Sequence, residues 1–194
     1  MYKGAYKFGF SKPIIAKYSE DNSTGEVTYS DAFQCGEGVS TTITPSYANA
    51  KLYGDNRCVE DINEFVSAAV SLGVTRLPLK AAEVLFGHKI DDTLNTTETS
   101  NANDSANFVG YGFAAKNSDG TFDACVLLKC KFAEGEDSYA TKGESITFTQ
   151  PTLSGSALAL ANGDWRKKKF GFTSEENAVA WIYETLGLSA PSAE

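Results

Sequence analysis

The only histidine of the chain, His88, is the residue on which proton transfer or nucleophilic catalysis would have to depend. It lies in the run LFGHKIDD, with Asp91 and Asp92 close behind, so a Ser-His-Asp or Cys-His arrangement would be assembled around this one imidazole. The same run ends a predicted helix, where a local hydrogen bond explains a histidine. We therefore predict a structural role for His88, no enzymatic activity, no catalytic residue, no metal and no cofactor.

The other charged groups that could act together are better explained without catalysis. Asp91 with Asp92, and Glu175 with Glu176, are adjacent pairs in a predicted loop and at a predicted helix start, where solvation or capping accounts for them. The basic run WRKKK, residues 165–169, could contact nucleic acid. However, the chain has 25 acidic residues against 17 Lys and Arg, a net charge of −8. Surface or intersubunit ion pairs are the favoured interpretation of that run.

The N-terminal sequence and the cysteines favour a protein of a reducing compartment. Short apolar pieces in MYKGAYKFGFSKPIIAK are interrupted by lysines and a proline, so we expect neither a signal peptide nor a membrane segment. The cysteines lack the C-x-x-C spacing of zinc sites. We expect buried free thiols at all four positions, Cys35, Cys58, Cys125 and Cys130.

Alternating polar and apolar residues predict one mainly β domain over residues 1–194. Strands are expected in EVTYSD and VSTTIT, and a hairpin in FVGYGFAA and FDACVLLKCKF with a turn at Asp119 and Gly120. In VSTTIT, Val39 and Ile43 are expected to oppose the hydroxyl residues. The second hairpin strand is expected to carry on one face Ala124, Val126, Leu128, Cys130 and Phe132.

The run ESITFTQ, residues 144–150, also alternates like a strand. Ile146 and Phe148 are expected to face a core, opposite three hydroxyl side chains. Pro151 then interrupts the hydrogen-bonding ladder, since proline has no N–H to donate. Strands are expected to resume in SGSALAL and DWRKKKFGF.

Two helices are predicted to flank the sheet. The first, in LPLKAAEVLFG, begins near Pro78 and ends at Gly87. The second spans residues 173–187 and begins with a capping box of Thr173 and Glu176. Its apolar stripe consists of Val179, Ile182 and Leu186, with Ala178 and Trp181 beside them.

Three segments are less regular. Residues 91–107 are polar, which predicts a surface loop. Residues 59–74 fit both a helical and a strand period, and periodicity does not decide between them. Residues 45–58 lie between two predicted strands and are too long for a tight turn, so a loop is expected there.

Four runs carry a resemblance to a known family: PLKAAEVLFGHKIDD, FVGYGFAAKNSDGTFDACVLLKCKF, YATKGESITFTQPTLSGSA and GDWRKKKFGF. Together they resemble the major tail protein (tail tube protein) family of long-tailed, non-contractile bacteriophages of Gram-positive hosts. The resemblance implies a structural virion protein with a β-sandwich subunit and flanking helices. Hexameric rings of such subunits enclose a closed inner β-barrel and stack into the tube through which DNA is ejected. It also implies a strand at residues 59–72.

The resemblance further implies the partners and the location. The partners are other copies of the chain, the tape measure protein, the tail terminator and the distal tail protein. Viral DNA passes through the tube without being specifically bound, and no membrane is involved. The location is the virion tail, after assembly in the cytoplasm of the host bacterium.

A tube wall requires strands with one apolar face and one polar face, with small hydroxyls and acidic groups toward the DNA. The candidate lumen-facing residues are Glu26, Glu37, Ser40, Thr42, Thr44, Asp61, Glu64, Glu144, Ser145, Thr147 and Thr149. We assign ring stacking to the predicted loop 45–58. The candidate stacking residues are Tyr47, Lys51, Leu52, Tyr53, Asp55 and Arg57.

Two other functions stay open at this point. A soluble β-sandwich binding module would be a monomer with an aromatic patch, for which Tyr47, Tyr53 and Tyr111 are the candidates. The inner tube protein of a contractile tail or an injection system would share the same fold, so fold alone does not separate it from the first function.

Overall fold

The computed structural model describes residues 5–91, 96–137, 141 and 148–191. Within those ranges the chain is mainly β, as the sequence predicts. One antiparallel sheet contains eight strands, and two short strands form a separate pair. In chain order the strands are β1 (Ser11–Glu20), β2 (Val27–Gln34), β3 (Gly38–Gly54), β4 (Arg57–Val74), β5 (Lys89–Ile90), β6 (Glu98–Thr99), β7 (Phe108–Lys116), β8 (Phe122–Ala133), β9 (Thr152–Leu158) and β10 (Arg166–Phe172).

The large sheet has the strand order β2-β1-β7-β8-β9-β4-β3, with β10 joined at β8. One edge of β8 pairs with β7 along most of its length. Its other edge is shared, because its first half pairs with β10 and its second half pairs with β9. The sheet therefore divides at β8.

The first core shows that the sheet folds over onto itself. Ile15 of β1 and Leu72 of β4 come from opposite parts of the sheet, yet they belong to one buried cluster. Tyr111 of β7 and Phe132 of β8 are fully buried in the same cluster, with their rings edge to face at 5.8 Å. This packing is sandwich-like, with the core between the two halves of the sheet.

The first predicted helix is confirmed. α1 (Leu79–Ala81) follows Pro78 and continues directly into a π-helical turn (Ala82–Phe86). Gly87 ends the turn with φ 78°, a left-handed conformation that glycine adopts without steric cost. The turn contributes its buried side chains to the first core.

The second predicted helix is also confirmed, with a different cap. α2 (Glu175–Thr185) begins after Ser174, whose hydroxyl accepts a hydrogen bond from the Asn177 backbone N–H at 3.3 Å. Ser174, and not Thr173, is therefore the N-cap. Ile182 and Leu186 of the predicted stripe are buried.

Glycines of β7 allow α2 to lie close to the sheet. Val109, Tyr111 and Phe113 share one face of β7 and join the first core, as predicted. The opposite face carries Gly110 and Gly112, and a Cβ at Gly112 would lie 2.3 Å from Ile182 Cγ2. The second core, between α2 and this face, includes Ile14, Ala16, Val126 and Leu128.

The predicted single apolar face of β8 is wrong beyond Leu128. Val109 pairs with Cys130 but Tyr111 pairs with Leu127, so β8 contains an extra residue at this point. Such a bulge reverses which side the following residues face. Leu128 therefore packs toward α2, whereas Cys130 and Phe132 join the first core.

The segments without a clear pattern in the sequence have different outcomes. Residues 45–58 are not a loop but part of β3 and β4, and residues 59–74 form the remainder of β4, as the resemblance implies. In the predicted loop 91–107, β6 pairs with β5, and most of the other described residues are irregular and exposed. Residues 148–150 are outside any strand, and Phe148 is 83% exposed rather than turned toward a core.

Candidate functional site

A continuous polar face crosses β3, β4 and β9. Residues paired across neighbouring strands lie on the same side of a sheet. Thr42 pairs with Ser71, which pairs with Ser154, so three hydroxyl residues stand side by side. The same strand pairing places further hydroxyl residues of β3, β4 and β9 on this side of the sheet. This hydroxyl face consists of Ser40, Thr42, Thr44 and Ser46 of β3, Ser67 and Ser71 of β4, and Thr152, Ser154 and Ser156 of β9.

The hydroxyl face exists because the alternate residues of the same strands are held in the first core. Leu72 and Leu153 are fully buried or nearly so, and Ile43 packs against the same cluster. The Tyr111 hydroxyl donates a hydrogen bond to Thr41 Oγ1 at 3.0 Å, and the Thr41 hydroxyl donates to the Ser71 carbonyl oxygen at 3.0 Å. These contacts fix which side of β3 and β4 faces outward.

Beyond the hydroxyl face, β3 and β4 continue together as a projecting hairpin. β9 pairs with β4 only as far as Ala68, so among the described residues no third strand pairs with residues 47–66. We call these residues the hairpin arm. The arm ends in a two-residue turn at Asp55 and Asn56, whose φ angles are 49° and 60°. Two consecutive positive φ angles are typical of a type I′ turn, which Asp and Asn tolerate.

The hairpin arm carries all the candidate stacking residues and exposes large apolar side chains. Six of these are between 46% and 66% exposed. Three of them, Tyr47, Leu52 and Tyr53, were predicted as stacking residues. The other three lie on β4 and were missed, because residues 59–74 were weighed only for secondary structure: Val59, Ile62 and Val66.

The register separates the acidic lumen candidates of β4. Glu64 pairs with Ala48, so it extends the hydroxyl face along the arm together with Ser40, Thr42 and Thr44. Asp61 pairs with Lys51 on the opposite face, where Lys51 Nζ lies 3.6 Å from Asp61 Oδ2. Asp61 and Glu64 therefore lie on opposite faces of the arm, and Asp61 does not share the hydroxyl face with the other candidates on these strands.

Two of the other acidic candidates, Glu26 and Glu37, lie outside the strands of the hydroxyl face. Glu26 is exposed just before β2, and Glu37 lies between β2 and β3. The Glu37 carboxylate accepts a hydrogen bond from the Thr75 hydroxyl, which holds the pKa of Glu37 below its usual range. Thr149 is exposed but belongs to no strand. Glu144, Ser145 and Thr147, with Ile146, lie outside the described residues.

The aromatic patch of a binding module does not form. Tyr111 is fully buried, and that burial raises the pKa of its hydroxyl. Tyr47 and Tyr53 are on the hairpin arm, with the Tyr47 ring edge to face with Phe65 at 6.0 Å. The structure therefore does not bring these three tyrosines together.

The basic run lies in β10 and beside it. The Arg166 guanidinium stacks over the Trp165 ring at 4.2 Å, and that ring stacks on Phe65 at 4.5 Å. Burial, with Arg166 nearby, lowers the pKa of Lys168. Trp165 and Arg166 thus lie at the rim of the first core, whereas the three lysines that follow are exposed.

The expectation of four buried thiols holds for three of them. Cys35, Cys125 and Cys130 are buried, and burial raises the pKa of Cys35 to about 12. Cys58 is exposed, because it lies on the hairpin arm.

A comparison of the sequence with protein-family models found no match, and a search of the curated proteins found none. No helix in the described part of the chain is long and apolar enough to cross a membrane.

Proposed function

We propose that this chain is a structural virion protein, the repeating subunit of a phage tail tube. Hexameric rings of the subunit stack into the tube, and DNA is ejected through its lumen. One observation carries the proposal: a hydroxyl-lined sheet face continues into a projecting arm whose large apolar side chains are exposed. The β3–β4 hairpin thus contains both the proposed lumen lining and the proposed stacking contact.

The hairpin arm supports self-association. Fully burying a Val, Leu or Ile side chain contributes about 1.5–3 kcal/mol, so the exposed apolar residues of the arm favour a partner. Contact between the arm and a different surface of a second copy is heterologous, and such contacts repeat without limit when they do not close. The arm therefore suits the stacking of one ring on the next.

The edges of the sheet support ring formation. β2 and β3 are the end strands of the described sheet, and each has one edge with unpaired backbone groups. Joining such edges between subunits closes a barrel and removes them. The ring size of six follows from the resemblance.

The hydroxyl face suits a lumen lining. Small hydroxyl groups hold water at the surface without forming a specific binding site for DNA, and the Glu64 carboxylate repels phosphate. The chain's net charge of −8 acts in the same direction. DNA would therefore slide along this face without adhering.

The remaining partners in this proposal are the tape measure protein, the tail terminator and the distal tail protein, in a virion tail assembled in the bacterial cytoplasm. The inner tube of a contractile tail or injection system would use the same wall and arm, so the same observation supports it as a second candidate. The binding module is less favoured, because Tyr111 is buried.

The test compares the wild-type chain with a Val59→Ser/Ile62→Ser variant by negative-stain electron microscopy and light scattering. The wild type is expected to form rings and tubes, whereas the variant stays folded and stops at single rings or monomers. Val39→Ser is the matched control, because Val39 is exposed on the same hairpin but outside the arm. A wild-type chain that stays monomeric at high concentration would overturn the proposal. Normal tubes from the Val59→Ser/Ile62→Ser variant would show that the arm does not mediate ring stacking.

A further inference from the structure

His88 brings together acidic side chains from two other segments. It follows the π-helical turn, whereas Glu98 belongs to β6 and Glu134 follows β8. Its side chain is only 5% exposed, and the ring packs against Phe86 with centroids 5.5 Å apart. Nδ1 lies 2.6 Å from Glu98 Oε1, and Nε2 lies 3.9 Å from Glu134 Oε2.

The two ring nitrogens of His88 have different hydrogen-bonding roles. A neutral imidazole carries a single proton, and the short contact with Glu98 assigns that proton to Nδ1. The Ser100 hydroxyl is 3.3 Å from the same nitrogen. Nε2 is then a lone-pair acceptor that faces the Glu134 carboxylate, which is another acceptor. Two acceptors in this arrangement are stabilised by a cation between them.

The geometry accommodates a transition-metal ion. Zinc bonds to histidine nitrogen at about 2.0–2.1 Å and to carboxylate oxygen at about 2.0–2.2 Å. An ion bonded to both His88 Nε2 and Glu134 Oε2, with a bent nitrogen–zinc–oxygen angle, therefore fits the 3.9 Å between these atoms. Ligand atoms of His88, Glu98 and Glu134 all lie within 4.8 Å of one another. A cavity of about 380 Å³, lined by Ser100 and Asp104 among others, adjoins His88 and Glu134 and has room for water ligands.

We propose that His88 Nε2 and Glu134 bind a divalent transition-metal ion, with zinc preferred over magnesium. Imidazole is a ligand for zinc, whereas magnesium prefers oxygen ligands. Glu98 holds the Nδ1 proton and so orients the ring, as carboxylates do beside zinc-bound histidines. The ion fastens the segment after the π-helical turn to the end of β8. This site does not depend on the proposed tube function.

The test is isothermal titration of the full chain with zinc chloride, followed by cobalt(II) absorption spectroscopy. We expect one zinc ion per chain, no comparable magnesium binding, and visible cobalt bands that are absent in His88→Gln. Glu134→Gln should weaken zinc binding at least about tenfold, and Glu98→Gln should weaken it about 10–100-fold. Glu136→Gln is the matched control, since it removes the same charge from an exposed neighbour and should leave the affinity unchanged.

The Glu134→Gln variant is expected to stay folded, because the Glu134 side chain is 58% exposed and its substitution does not disturb the core. Circular dichroism of each variant confirms that it is folded before titration. Absence of zinc binding at millimolar zinc would overturn the proposal. Equal affinity in wild type and Glu134→Gln would also overturn it.

Discussion

Substitution of Gly112 by alanine tests how closely α2 is docked on the sheet. The new methyl carbon would lie 2.3 Å from Ile182 Cγ2 and 3.4 Å from Val126 Cγ2. Carbon atoms pack best at about 3.5–4.0 Å, so the helix side must move by more than about 1 Å. Ile182 is β-branched and stiff in a helix, so it cannot relieve the contact by simple rotation. We expect Gly112→Ala to lower the free energy of unfolding by about 1–3 kcal/mol.

A double-mutant cycle separates this clash from other effects of the substitution. Ile182→Ala alone should cost about 2–5 kcal/mol, because Ile182 is fully buried in the second core. In the double variant, the alanine methyl at position 112 occupies part of the vacated space. The combined loss should therefore be smaller than the sum of the single losses by at least about 1 kcal/mol.

The assay is urea denaturation followed by circular dichroism, at a protein concentration at which the chain does not assemble. The control cycle pairs Gly112→Ala with Leu153→Ala, because Leu153 belongs to the first core, whereas the nearest neighbours of a Cβ at position 112 belong to the second. That pair should be additive within about 0.5 kcal/mol. Additivity in the Ile182 cycle, or an unchanged stability of Gly112→Ala, would refute the close docking of α2.

Three further outcomes are expected. Glu64→Lys should leave tube assembly intact but slow DNA ejection, because it places a cation beside the hydroxyl face; Glu184→Lys, at an exposed position of α2, is the control, and normal ejection from a tube with position 64 confirmed in the lumen contradicts the idea. Iodoacetamide at about pH 8 should modify only Cys58 in the native chain and all four thiols after unfolding, as read by mass spectrometry. A hydrogen bond from Lys129 at 2.8 Å lowers the pKa of Glu20, so its stabilising effect is present above about pH 4.3 and is lost as the pH falls through the lowered value. The urea midpoint of wild type should therefore fall more steeply with acid than that of Glu20→Gln, and parallel curves would exclude this contribution.

The sequence by itself determined the local elements that depend on neighbouring residues. Alternation predicted the β class and the shared face of Val109 and Tyr111, because strand periodicity is a local property. Pro78 and Gly87 predicted the limits of the first helix for equally local reasons. The polarity of Thr42 and Thr44 predicted a hydroxyl-bearing strand face.

Only the tertiary structure decided which strands extend that face and how far. Ser154 and Ser156 join it through pairing of β9 with β4, and pairing across some eighty residues leaves no local pattern. The bulge in β8 moved Cys130 to another core, since the facing of a residue depends on the register of its partner strand.

The hairpin arm shows most clearly which features follow from the sequence and which depend on the tertiary structure. Asp55 and Asn56 are turn residues in any sequence, but a two-residue turn between strands of 17 and 18 residues was not expected from length alone. The same register put Asp61 beside Lys51 and Glu64 on the hydroxyl face. Side-chain period fixes only alternation along one strand, whereas the partner strand and its bulges fix which side faces the core.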